Sequence, residues 1–212
     1  MTTLAYQGTE SKQSVLDRLQ EHRRLDQLIK GQYWEDGKGC AVACLTHADN
    51  GGHDQFPARW GIPVQIAYLI DTIFEALPTE DAMEWPVRVM SAIPEGADLS
   101  KVWDRYASWM LHDLATLNGV DPSVGVIAGL FDRAVAGDEP TPQEWEQAAQ
   151  ATQAAQAARV ARIAWAARDA WDAWAVRAAW DAWDAWAVRD AWAASVKDSA
   201  DMLVEILSTS PV

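Results

Sequence analysis

The chain has 212 residues, half of them apolar, with 17 Lys and Arg against 31 Asp and Glu and a formal net charge of −14. Such length and apolar content suffice for one or two domains with a real core. The acidity argues against direct nucleic-acid binding, which needs a basic face toward phosphate, and no window approaches 18 uncharged apolar residues, so no membrane span is expected.

The first residues, Met1 to Gln7, lack the basic and apolar regions of a signal peptide. From Ser11 to Ile29 the apolar residues Val15, Leu16, Leu19, Leu25 and Leu28 recur at helical spacing, with Gly31 as the stop. Tyr33 to Gly39 and Ala48 to Gly52 read as loops. Between them Cys40 to Leu45 makes one or two apolar helical turns. Pro63 suits a first helical turn, and Val64 to Leu77 continues as an apolar helix. Thr79 is the expected N-cap of a helix over Glu80 to Ile93, broken or kinked near Pro86. Asp98 or Ser100 opens a helix carrying Val102, Trp103, Tyr106, Trp109, Met110 and Leu114, and Asp121-Pro122 opens another. No alternating strand or hairpin dipeptide stands out. The expected class is all-α.

After Pro140 the pattern changes. Thr141-Pro142-Gln143-Glu144 combines a capping hydroxyl, Pro at the first position and acid in the first turn. From Gln147 to Ala194 the chain then parses into sixteen unbroken triplets whose first position is always Gln, Arg or Trp. Seven of the 13 tryptophans occupy it: Trp165, Trp171, Trp174, Trp180, Trp183, Trp186 and Trp192. A twelve-residue unit, Trp171–Ala182, recurs with two changes as Trp183–Ala194. Ala favours helix, and neither Gly nor Pro interrupts Gln143 to Ser210. A triplet step falls 60° short of a helical turn, so the indoles wind around the whole circumference rather than form a coiled-coil seam. The expected organisation is an acidic all-α domain over 1–140 and, over 141–212, a repeat arm (one long helix or a helical hairpin). At its end Met202, Leu203, Val204, Ile206 and Leu207 form an amphipathic segment able to fold back and dock. Trp anchors dominate interface energies, so these seven are the expected partner-binding residues. An arm apolar all round calls for several partners or further copies of the chain. Basic residues do not gather on one face, as a membrane-surface helix would require.

Charge follows the same division. Residues 1–149 hold 11 basic against 23 acidic side chains, whereas 150–194 hold five Arg and five Asp. The stretch 71–147 alone has 15 acidic against 4 basic groups, a field that steers toward basic partners and that a nucleic-acid mimic would use.

One cluster has the residue types for chemistry. Cys40, Cys44, His47 and His53 offer zinc-ligand types or a thiol–imidazole pair, the first three sharing one helical face. Their C-x3-C-x2-H-x5-H spacing matches no standard metal motif, and the ordinary alternative is two buried thiols with surface imidazoles. Two cysteines are too few for a disulfide scaffold, so a reducing cytoplasm is the expected setting. No catalytic residues are assigned and no cofactor is expected, zinc being the one candidate.

Gly39-Cys40-Ala41-Val42-Ala43-Cys44, Gly61-Ile62-Pro63, Asp71 to Pro78 and Glu84-Trp85-Pro86-Val87-Arg88 together resemble a family of uncharacterised proteins from tailed bacteriophages and prophages. The likeness covers Gly37 to Ile93 and extends in kind to Ala-rich repetitive helices near the C-terminus. It implies a phage-borne accessory protein working in the host bacterial cytoplasm, and carries no catalytic residues to transfer. The sequence therefore points to a non-enzymatic protein that binds itself or a host protein through its repeat and acidic surface, as an inhibitor of a host system. The alternative is a zinc- or thiol-dependent enzyme or ligand-binding protein centred on the Cys/His cluster.

Overall fold

The computed structural model describes residues 4–31, 34–47, 52–116, 123–151 and 189–212. The fold is all-α. Nine α-helices occur among the described residues: α1 (Lys12–Arg24), α2 (Ala41–Thr46), α3 (Phe56–Trp60), α4 (Val64–Ala76), α5 (Thr79–Ala92), α6 (Val102–Ala115), α7 (Ser123–Val135), α8 (Pro142–Ala151) and α9 (Arg189–Ser208). A 3-10 turn over Gly52–Gln55 precedes α3, and a short hairpin, β1 (Trp34–Glu35) and β2 (Lys38–Gly39), precedes α2. Of the repeat tryptophans, Trp192 falls in the first turn of α9; Trp165, Trp171, Trp174, Trp180, Trp183 and Trp186 lie outside the described residues.

Two compact units divide the chain, residues 1–100 with 188–212 and residues 101–187. The boundary expected at 140 falls inside the second unit, and the C-terminal helix belongs to the first. In the first unit α4 supplies the central apolar face: Ile66, Leu69, Ile70, Ile73 and Phe74 are all buried. Around it pack α2, α3, α5 and α9, while α1 lies on α2 and α5. Trp85 of α5 is buried and donates its indole N–H to the Ile70 carbonyl at 2.9 Å. From α9, Val196, Leu203, Ile206 and Leu207 enter the same core, so the docking expected of the C-terminal amphipathic segment occurs within this unit. Chain ends are stitched in by backbone: Ala5 N–H to Ala97 O at 2.9 Å and Asp98 N–H to Pro211 O at 2.8 Å. Gly8 passes so close to α3 that a Cβ there would stand 2.2 Å from the Arg59 carbonyl oxygen, which only glycine permits.

In the second unit α6 and α7 pack through Ala107, Leu111, Val124, Ile127, Ala128 and Phe131. Trp145 of α8 joins them, its ring edge-on to Phe131 at 4.8 Å between centroids. The predicted helix start at Thr141 is present as a reciprocal cap. Glu144 accepts from the Thr141 backbone N–H at 2.7 Å, and Thr141 Oγ1 accepts the Glu144 N–H at 3.3 Å. Arg133 bonds the same carboxylate at 2.6 Å.

Three local expectations change. The first helix ends at Arg24 rather than Ile29: Asp26 turns left-handed (φ 51°), which a short polar side chain tolerates. This releases Leu28 to be buried beside Gly39. The segment before Cys40 is a hairpin rather than a loop, because Asp36-Gly37 supplies two consecutive positive φ angles, 51° and 79°. Finally, Pro86 sits inside α5 without ending it; it is itself buried in the core.

This packing has two measurable consequences. Ile70→Ala should cost about 2–5 kcal/mol in a denaturant melt, the range for truncating a well-packed aliphatic side chain. Hydrogen bonding to Arg133, then to Thr141, holds Glu144 at about 2, against an ordinary 4.5. Its contribution to the second unit is then full above the ordinary value and lost as pH falls through about 2. Carboxylate NMR should find that low midpoint, and Arg133→Ala should raise it.

Candidate functional site

The four sequence-predicted ligands sit in α2, at its two ends and on the 3-10 turn that follows it, and the fold sends them to different partners. Cys40 occupies the cap position before α2, and Cys44 lies one turn into it, both buried. Cys44 Sγ donates to the Gly39 carbonyl at 3.5 Å and lies 3.7 Å from that of Gln27. Its role is to close the helix onto the hairpin. Burial pushes its thiol up to about 12. Cys40 is pushed up further, first by burial and then by the charge of the nearby Asp71 carboxylate.

Asp71 is where Cys40 and His53 meet. His53, on the 3-10 turn, is buried and bonds Asp71 Oδ2 through Nε2 at 3.0 Å. Its ring lies flat on Tyr68, 4.0 Å between centroids and 3° between planes. Tyr68, Asp71 and Glu75 share the α4 face opposite the apolar stripe, since residues three and four apart stack along a helix. Glu75 accepts the Gly31 N–H at 2.9 Å, and burial followed by repulsion from Asp71 raises its carboxyl above the ordinary range. A thiol, an imidazole, two carboxylates and a phenol are thus gathered at one edge of α4.

His47 turns the other way. It ends α2 in the left-handed region (φ 52°) and reaches His22 in the last turn of α1, with 2.7 Å between the two Nε2 atoms. His22 Nδ1 meets Gln27 Oε1 at 2.7 Å. A carboxamide oxygen only accepts, so His22 carries a proton on Nδ1 and offers its Nε2 lone pair to the His47 N–H. Trp34 of the hairpin stacks on His47 at 5.3 Å and stands edge-on to His22 at 5.9 Å. Arg18 and Arg59 lie alongside and clamp the Glu10 carboxylate between them, while also bonding the Leu45 and Thr46 carbonyls at the end of α2. Partial desolvation, then the charges of His22, Arg18 and Arg59, hold His47 below the usual imidazole range.

The four predicted residues therefore divide between two places: Cys40 with His53 through Asp71, and His47 with His22, with Cys44 bonded to backbone between them. No group of three or more His, Cys, Asp and Glu side chains converges as a metal site among the described residues. Sequence reading missed His22, Asp71, Tyr68 and Glu75. The signal for the last three was a run of polar positions at i, i+3 and i+7 through an otherwise apolar helix. His22 gave none, resembling any basic residue in a last helical turn. No helix among the described residues is long and apolar enough to cross a membrane. No protein-family model, curated protein or solved structure matches the chain.

Both thiols should resist alkylation at pH 8 in the native protein and react fully once it is denatured. Asp71→Asn should lower the Cys40 midpoint without normalising it, because burial is the larger cause. The joint Cys40→Ser, Cys44→Ser variant should retain the helical circular dichroism of the parent. Native thiols that react as fast as a free cysteine would contradict the burial described.

Proposed function

We propose that this is a non-enzymatic interaction protein, phage-borne and acting in the host bacterial cytoplasm, which binds further copies of itself or a host protein through its Trp/Ala repeat. The observation that carries this reading is the triplet register itself, seven indoles at one repeat position across sixteen triplets. On a helix a three-residue spacing would carry these indoles around the whole circumference, where a single flat neighbour cannot cover them all. Left in water they would expose more apolar surface than monomers usually carry. Support also comes from what flanks the repeat. Its first triplets lie in α8 and its last in α9, and Val196, Leu203, Ile206 and Leu207 of α9 are buried in the core of the first unit. A repeat continuous with helices at both ends suits a binding element better than a loose tail would. The acidic body disfavours nucleic acid as a direct ligand and draws in basic proteins, consistent with inhibition of a host system.

A second reading, thiol chemistry or ligand binding around Cys40, is favoured by the shared contact of Cys40 and His53 with Asp71. The first is preferred because burial holds both thiols protonated, and the thiolate is the reactive form.

Replacing Trp171, Trp174, Trp180, Trp183 and Trp186 with Ala should keep the helical content and weaken association by several kcal/mol. Single buried Trp truncations cost about 3–5 kcal/mol and do not add fully. Light scattering and intrinsic fluorescence provide the measurement. A monodisperse monomer with quencher-accessible indoles, matched by an equally active five-Ala variant, would sink the proposal.

A further inference from the structure

The paired imidazoles are the most directed arrangement of donor atoms in the described residues that the proposed function leaves unused. His22 and His47 come from different helices, 25 residues apart, yet their Nε2 atoms point at one another across 2.7 Å. His22 is nearly buried and fixed, whereas His47 is exposed at the end of α2. Gln27 holds the far nitrogen of His22 as N–H donor. That is the arrangement by which metal-binding histidines are commonly oriented, with the second ring nitrogen donating to a carbonyl or carboxylate. Trp34 covers both rings from the hairpin side.

We propose that His22 and His47 form a two-imidazole site for a borderline divalent transition-metal cation of the zinc type, the metal replacing the proton that the two Nε2 atoms share. Imidazole suits zinc, copper and nickel rather than magnesium or calcium. Two nitrogens on a tetrahedral zinc stand about 3.3 Å apart, given Zn–N near 2.05 Å. The pair must therefore open by about 0.6 Å, which the solvent side of His47 allows. In the neutral pair the only proton to move is the one on His47 Nε2, which transfers to its own Nδ1 and leaves both lone pairs directed at the metal. Water completes the coordination, because no third His, Cys, Asp or Glu converges here among the described residues. Glu10 offsets part of the charge of Arg18 and Arg59 beside the site, and the chain as a whole is strongly anionic, which favours a cation. Bound metal would pin the ends of α1 and α2 together beneath the hairpin. The proposal is independent of the repeat and differs from the Cys40, Cys44, His47, His53 set by resting on His22.

The protein has only four histidines, so its imidazole C–H signals can be followed individually by NMR while zinc chloride is added to the full-length chain. One equivalent should bind with micromolar affinity and shift the His22 and His47 signals, leaving His53 and His112 in place. His22→Gln and His47→Asn (Asn tolerates the left-handed cap) should each weaken uptake at least tenfold by calorimetry. Gln27→Leu should weaken it about tenfold, the scale of losing an orienting partner. Cys40→Ser with Cys44→Ser should leave it unchanged. Absence of zinc uptake by the wild-type chain, uptake that persists in His22→Gln, or uptake lost in the thiol variant while His22→Gln retains it would each overturn the site. The wild-type NMR titration decides the matter even if a variant fails to fold.

Discussion

Burial of one face of α4 is the constraint on which the first unit depends. Ile66, Leu69, Ile70, Ile73 and Phe74 lie on a single stripe, and α2, α3, α5 and α9 take their positions by packing against this helix. Period-3.6 geometry then fixes the opposite side without further choice: Tyr68, Asp71 and Glu75 must face away from the stripe. The candidate site follows from the core. His53 is laid on Tyr68 and Asp71 because the 3-10 turn packs against α4, and Cys40 reaches the same carboxylate because α2 does.

The same packing decides the chemistry available there. A cysteine becomes a nucleophile when its surroundings favour the thiolate, through a nearby cation or accessible base. Cys40 has the reverse, an apolar burial and a carboxylate neighbour, so in this arrangement its thiol stays protonated. Cys44 is spent on backbone carbonyls. The imidazoles are the more available groups. His47 is exposed, held by His22, and braced by the Trp34 ring, so three otherwise unrelated segments converge on two nitrogen atoms.

The C-terminal helix gives the repeat its structural context. Val196, Leu203, Ile206 and Leu207 of α9 enter the core of the first unit, so the chain that follows the repeat is anchored there. Among the described side chains, those buried in α8 are Trp145 and Ala148, and those buried in α9 begin at Val196.

Sequence by itself determined the all-α class, the helices with strong apolar periodicity, the reciprocal cap at Thr141 and Glu144, and the inward docking of the last amphipathic segment. Each is a local property, set by spacing, propensity or a side chain reaching three residues along the chain. Sequence reading also passed over the Asp36-Gly37 turn, a local signal that was present, and placed the end of the first helix too late. What only the tertiary structure decided is which polar groups meet. Cys40, Cys44 and His47 share a face in an ideal helix, but His47 leaves that face through a left-handed cap and finds His22, 25 residues earlier in sequence. Asp71 meets His53 across 18 residues for the same reason. Spacing along one helix specifies neighbours on that helix alone; contacts between helices are set by how their apolar faces pack, and that is a property of the whole unit.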